Sequence, residues 1–436
     1  MTKNSKPKFA DFLYNQGDRI LLLKKILLAF NSPDKKFKII HICGTNGKGS
    51  TSYMIASILQ QMGFKTGLFT SPAIGTDTNS IQVNFNEIKN QIFKNYLDKI
   101  EAQMKTKEFI NDQLSQFEAL FLAAMLYFSD QKVDFVVLEC GLGGELDATN
   151  AVFNTMYSIF TEVGMDHIGI LGNNIYEIAT TKSKIIRKNN TTIISKNEPK
   201  QAFQVIKKEA LLKNSAFLSA QEVLINKSLI NGNSAIEYKI NGKNISGTFG
   251  FGLRGQYQLS NLATVLRWFF NFIRNYRVNQ PDKILNAALE NLKVPGRFET
   301  VSQNPTIILD GGHNPDGIRA FFDSVNEIYE NTPKIIVNGF LKDKDYQQAV
   351  DTLVQLKNTR FIVTEPQNPV RELHANSLAN VYKRKINKDI PYFDDPTQAV
   401  LFAINLANKD KARPVIFVVG SFYLVNPVRK YLVSDD

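Results

Sequence analysis

Cysteine is scarce in this chain: there are only Cys43 and Cys140, each inside an apolar run and far apart in sequence. Two such residues exclude a disulfide scaffold and read as reduced core thiols, not as a disulfide or metal pair. The start, MTKNSKPKFADF, lacks the apolar core of a signal peptide. The longest apolar stretch, around Ala119 to Phe128, is too short to span a bilayer. Internal repeats and low-complexity tracts are also missing, which removes solenoids and disordered scaffolds. Basic charge is present but not blocked. Lys and Arg outnumber Asp and Glu by 52 to 41, a net charge of +11, yet they are scattered and not interleaved with aromatics. That pattern argues against a nucleic-acid protein and fits a field that gathers anionic small molecules. The expectation is a soluble cytoplasmic protein, with neither nucleic acid nor membrane as partner and no reason to require more than a monomer.

With 436 residues, 43% of them hydrophobic and 21% charged, the chain can bury two separate cores. FKIIHIC, from Phe37, reads as a buried strand, GTNGKG as a loop, and STSYMIASILQQMG as a helix ending at Gly63. SQFEALFLAAMLYFSD reads as a buried helix, and VDFVVLEC and YSIFTEVG as further strands. Strands, glycine loops and helices in alternation predict an α/β fold with a doubly wound parallel sheet. Between Ser219 and Gly252 the rhythm changes, and IEYKINGKNISGTF predicts a hairpin around Asn241 and Gly242. Alternation restarts with TIILD, KIIVNGF, RFIVTEP and PVIFVVG. The expected organisation is an N-terminal P-loop-type α/β domain (1–293) with a small antiparallel annex, then a smaller Rossmann-like α/β domain (294–436). The second domain carries no G-x-G-x-x-G.

Chemistry concentrates at strand ends, where open α/β sheets bind ligands. HICGTNGKGST, residues 41–51, resembles a phosphate loop in which Gly49 separates Lys48 from Ser50, unlike the usual G-x-x-x-x-G-K-[ST]. Its glycines let backbone N–H groups approach phosphate oxygens, the helix start is electropositive, and Lys48 can reach terminal phosphates. The Ser50 hydroxyl suits Mg²⁺. Glu139 closes a buried strand, where a carboxylate is costly unless paired or bound to a cation. The next strand leads to Asp166 and His167, so hydroxyl, carboxylate and imidazole converge on one edge. In the second domain TIILDGGHNPDG places Asp310 at a strand end and His313 and Asn314 in the following turn.

Taken in order, GTNGKGS, TSP, Phe117-Glu118, GLGGELDATN, MDHIGILG, PGRFE, LDGGHNPDG and VVGSFYLV resemble the folylpolyglutamate synthase and dihydrofolate synthase family of the Mur ligase superfamily. The likeness runs from about Asp18 to Tyr423 and includes Arg19 near its start. It implies an ATP-dependent ligase that phosphorylates a substrate carboxylate and joins it to the amine of L-glutamate, with a folate as acceptor. It implies that Asn46, Gly47, Lys48, Gly49, Ser50 and Thr51 hold ATP, with Asn261, Arg297, Asp310 and His313 as further nucleotide contacts. Two Mg²⁺ sites are implied, Ser50 with Glu139 and Ser71 with Glu139 and His167. Lys182 matches a lysine that is carbamylated in many relatives, although TTKSK departs from their usual EKAGI. Lys48, His167 and Lys182 are thus the catalytic set.

Arg19, Ala73, Phe117, Glu118, Glu145 and Asp147 fall where the acceptor is expected. Here the chain departs from its relatives, with TSPAI for the common TSPHL and Glu145 for an arginine, and Asn79-Ser80-Ile81 stands where ERI is usual. The phosphate and metal residues are intact. An alternative is a paralogous amino-acid ligase with a different carboxylate acceptor. A non-catalytic ATP-binding regulator would have lost Lys48, Glu139 or His167, and none is lost.

Overall fold

The computed structural model describes residues 9–230, 233–242 and 244–433. The chain forms two compact units, 1–251 with 261–290 and 252–260 with 291–436. Residues 252–260, read from sequence as part of the first domain, thus group with the second unit.

The first unit carries β1 (Lys38–Cys43), β2 (Thr66–Phe69), β3 (Ile81–Val83), β4 (Asn86–Glu87), β5 (Phe135–Glu139), β6 (Thr155–Phe160), β7 (Thr191–Ile194) and β8 (Ala216–Ser219). They form one sheet in the order β4-β3-β2-β5-β1-β6-β7-β8. From β2 to β8 every neighbouring pair is parallel, while β3 and β4 add antiparallel. The order places β1, which leads into the phosphate loop, between β5 and β6. Three further strands, β9 (Val223–Ile230), β10 (Asn233–Ile240) and β11 (Ile245–Gly250), form the antiparallel annex predicted from the hairpin signature. Lys243 of that hairpin's turn lies outside the described residues. The helix Pro281–Leu289 is tied to the annex by Tyr238 donating to Asp282 and the Gly250 amide to Asn286.

The second unit has β12 (Glu299–Gln303), β13 (Thr306–Asp310), β14 (Lys334–Asn338), β15 (Thr359–Thr364), β16 (Tyr392–Phe393) and β17 (Val415–Val419), in the order β12-β13-β17-β14-β15-β16. Only β12 runs antiparallel to its neighbour. The period of two along each strand sorts its side chains into two cores. Ile308, Ile336, Val363 and Phe417 join one cluster, and Ile307, Leu309, Ile335, Ile362 and Ile416 the other. Burial on both faces explains why these strands read as unbroken apolar runs.

Two residues expected at the acceptor bind each other. Glu118 is the third residue of the helix Gln116–Asp130, and its carboxylate accepts from the Ser115 amide in a capping box. Arg19, in the first turn of the helix Arg19–Ala29, donates Nε to Glu118 Oε1 at 2.8 Å and Nη2 to Oε2 at 2.5 Å. Arg19 Nη2 also reaches the Gln113 carbonyl at 2.7 Å. Both side chains are buried, and the fork-to-fork geometry satisfies most of their polar atoms. In this position they hold the N-terminal helix to the helix bearing Phe117. Removing one partner strands the other charge in the interior. Arg19→Ala should therefore lower unfolding stability by about 3 to 5 kcal/mol, measured by urea denaturation, and an unchanged midpoint would refute the clamp.

Candidate active site

The phosphate loop is built by close packing at the end of β1. Gly44 has φ +146°, and a Cβ there would lie 2.0 Å from Thr161 Oγ1, so only glycine allows the strand end to approach the end of β6. Gly47 precedes the helix Lys48–Gln61 in the left-handed region, φ +87°, and a Cβ there would lie 2.1 Å from Asn261 Oδ1. The helix therefore begins with bare backbone against Asn261, the cradle an anionic group requires. Lys48 folds along the loop and donates to the Gly44 and Thr45 carbonyls at 3.3 and 3.0 Å. Ser50 and Thr51 are buried in the first turn.

The loop hangs on the residues after β6. The Thr45 and Asn46 amides donate to the Glu162 carbonyl at 2.9 and 3.4 Å, and the Thr161 amide donates to the Cys43 carbonyl at 2.8 Å. The Thr45 hydroxyl donates to the Gly164 carbonyl and accepts from the Gly164 amide, each at 3.0 Å. This anchoring was not read from the sequence. Beyond it, Asp166 accepts from the His167 amide at 2.8 Å, and the imidazole lies 3.8 Å from the Asp166 carboxylate. His167 has φ +52° and a half-buried side chain, in the left-handed region that histidine, like asparagine and aspartate, enters more readily than most side chains.

On the other side, β5 presents Glu139 buried, accepting from the Ser71 amide at 3.2 Å. Two of the residues that the resemblance implies for the second metal, Ser71 and Glu139, are thus in contact through the Ser71 amide. The oxygen donors of Ser50, Ser71 and Glu139 suit Mg²⁺, and the imidazole of His167 is the softer member of the set. Lys182, in the helix Ile175–Ser183, reaches back to the same loop: its buried ammonium donates to the Gly44 carbonyl at 2.8 Å. Burial pulls its pKa down, with the Lys48 charge acting in the same direction and Cys43, Cys140 and Asp166 opposing.

The LDATN segment is a buried polar knot. Asp147 accepts from the Leu142 and Thr149 amides at 2.6 and 3.0 Å and from the Thr149 hydroxyl, while burial raises its pKa. Thr149 in turn meets His41 Nε2 at 2.8 Å, which lies 3.1 Å from Cys140 Sγ. Burial depresses the His41 pKa, so this histidine is neutral. Both cysteines are free and buried, as reduced core thiols should be, and Cys43 donates to the Gly143 carbonyl. Asp147 is therefore held in the loop's own hydrogen bonds. Glu145 is exposed, its amide tied to the Thr181 carbonyl, and Ala73 is half-buried. Phe117 packs on the backbone of Gly141, where a Cβ would lie 2.5 Å from its ring, and lies 5.9 Å from the Phe69 ring. Tyr14, absent from the sequence reading, stands over this loop. A Cβ on Gly143 would lie 3.0 Å from its hydroxyl, and burial, Asp147 and Glu145 push its pKa up to about 12.

Within the second unit, Asp310 accepts from the Tyr257 hydroxyl at 2.8 Å and from the Phe298 and Gly312 amides at 3.0 and 2.8 Å. The Arg297 guanidinium lies 4.4 Å from the centre of the Phe422 ring, which meets the His313 imidazole edge-on at 6.0 Å. His313 Nδ1 bonds the Gly311 carbonyl at 2.9 Å. The three residues predicted from PGRFE and LDGGHNP are thus gathered around the end of β13. Arg371 is paired with Asp343.

Residues 42–267 match the Mur ligase middle domain, and residues 296–422 match the Mur ligase glutamate ligase domain. The chain is 29% identical over 415 residues to the dihydrofolate synthase/folylpolyglutamate synthase of Bacillus subtilis, covering 94% of each. To the protein of the same name from Buchnera aphidicola subsp. Schizaphis graminum it is 30% identical over 389 residues, covering 88% of this chain and 85% of that one. Among solved structures, E. coli FolC in complex with DHPP and ADP superposes with a TM-score of 0.80 at 26% identity, covering 96% of this chain and 93% of that one. The ordered motifs, the two matched domains and the near-complete coverage lead to one assignment: the chain belongs to the folylpolyglutamate synthase/dihydrofolate synthase family of the Mur ligase superfamily, a family of ATP-dependent ligases.

Proposed function

We propose that this protein joins L-glutamate to a folate carboxylate at the expense of ATP, releasing ADP and phosphate. The observation that carries the reading is the convergence of the Gly44 to Ser50 loop, Glu139 and Lys182 at the ends of β1 and its neighbours. A carboxylate resists attack by an amine until one of its oxygens becomes a phosphate leaving group. The site's task is therefore to hold the γ-phosphoryl group beside the acceptor and offset crowded negative charge. In this reading the loop amides and Lys48 hold the phosphates. Lys48 exchanges its loop carbonyls for phosphate oxygens, and Asn261 borders the cradle at Gly47. Arg297, Asp310 and His313 are assigned to the nucleotide by resemblance.

Ser50 and Glu139 would hold one Mg²⁺, and Ser71, Glu139 and His167 a second. Such ions supply charge neutralisation and orientation of the phosphates. Lys182 fits a further role. Burial favours its neutral amine, the form that takes up CO₂ to give a carbamate, and its position on Gly44 sets that group beside the phosphate loop. The acceptor is assigned to the side lined by Phe117, Ala73 and the Glu145 loop. Arg19 and Glu118 support that wall through their clamp.

The decisive assay is L-glutamate-dependent phosphate release in Mg²⁺, with dihydropteroate, tetrahydrofolate and a diglutamyl folate as separate acceptors. Turnover of at least one is expected. If folded enzyme turned over none, the folate reading would fail and a ligase with another carboxylate acceptor would replace it. Lys48→Ala and Glu139→Ala should each lower turnover by about a hundredfold or more, the scale for removing one charge-stabilising group. A near-normal rate in either would dismantle the site. Gly47→Ala should stay folded yet lose ADP binding, because the new methyl must displace Asn261. Calorimetric titration showing wild-type affinity would contradict the cradle.

A further inference from the structure

The phosphate loop takes its position from Thr161 to Gly164, so whatever fixes that segment fixes the loop. One buried side chain does so. Glu198 sits between the end of β7 and the helix Lys200–Leu212, and its Oε1 accepts from the Val163 amide at 3.1 Å. Its Oε2 is paired with the Ser195 hydroxyl at 2.6 Å. Because β7 lies beside β6 in parallel register, the two strand-end loops emerge side by side. Val163 stands between Glu162, whose carbonyl receives the Thr45 and Asn46 amides, and Gly164, which exchanges hydrogen bonds with the Thr45 hydroxyl.

We propose that Glu198 is a positioning residue for the nucleotide site: by holding the Val163 amide it sets the Glu162 to Gly164 backbone on which the phosphate loop hangs. The inference rests on the nucleotide reading above. Glu198 touches no reacting atom; it acts through the backbone it holds and, once ionised, through its charge.

Its charge state gives the role a signature. Burial foremost, with the exposed Glu162 acting in the same sense, pushes Glu198 up to about 8, against the Ser195 and Val163 hydrogen bonds and the Lys182 charge. The Glu162 and Lys182 charges act on it in opposite senses. Near pH 7 the side chain is therefore a neutral acid, which keeps an additional negative charge away from a site built for phosphates. As pH rises through 8 it ionises, and the added charge opposes an anionic ligand. Glutamine copies the neutral acid, since its carbonyl can accept from Val163 and its amide can donate to Ser195.

The test is calorimetric titration of ADP with Mg²⁺ into the full chain, wild type, Glu198→Ala and Glu198→Gln, near pH 7 and near pH 9. Near pH 7, Glu198→Ala should bind about tenfold more weakly and Glu198→Gln within about twofold of wild type. Near pH 9 the wild type should weaken several-fold relative to Glu198→Gln, whose own change reports the titration of everything else. Wild-type affinity in Glu198→Ala, loss in Glu198→Gln as large as in Glu198→Ala, or identical pH dependence of wild type and Glu198→Gln would each overturn the proposal. If Glu198→Ala does not fold, the comparison of wild type with Glu198→Gln across pH decides alone. Failure of the wild type to bind ADP at either pH would remove the nucleotide reading, and this inference with it.

Discussion

The close approach of Gly44 to Thr161 is the constraint on which the site depends. A side chain at position 44 would occupy the space of the Thr161 hydroxyl, so the end of β1 can meet the end of β6 only as bare backbone. That approach lets Thr45 and Asn46 hang from the Glu162 carbonyl and brings Lys182 onto the Gly44 carbonyl. The same oxygen receives Lys48 at longer range. Two lysine side chains meet on one carbonyl where the resemblance places phosphate, and the burial that favours the neutral amine of Lys182 limits their mutual repulsion.

Around this contact the polar groups form layers that do different work. Asp147, Thr149 and His41 are buried and bonded mainly to one another, so they shape the LDATN loop instead of facing a ligand. Arg19 and Glu118 form a similar closed pair between two helices. Lys48 and His167, only partly buried, instead flank the loop. The contrast follows from desolvation: a buried polar side chain survives by satisfying its partners inside the protein, which leaves it little to offer a substrate.

Much of the fold was legible in residue pattern. The strand–loop–helix alternation and the hairpin around Gly242 each correspond to an observed element, because periodicity and turn chemistry are local. Short strands such as β2, β7 and β16 escaped that reading, since their apolar runs are too brief to stand out from neighbouring loops. Within the site, Lys48, Ser50 and Glu139 were visible as polar residues at strand ends. Glu198, an acid in the loop that follows an apolar strand, came close to the same criterion, but its motif was unremarkable. Arg19 and Glu118 were assigned to the acceptor by resemblance, and their pairing with each other was not legible because it spans residues far apart in the chain. Tyr14 had no motif at all.

The sequence by itself determined the order of the elements, the glycine-rich loop at the start of a helix and the family. All of these reside in short contiguous stretches whose chemistry is set by neighbours along the chain. Tertiary structure decided which of those stretches meet. Only the placement of β1 between β5 and β6 puts Glu139 on one side of the phosphate loop and the Thr161 to His167 segment on the other. Only the pairing of β6 with β7 brings Glu198 beneath Val163. Strand order and register are collective outcomes of burying apolar faces, so no single segment encodes them.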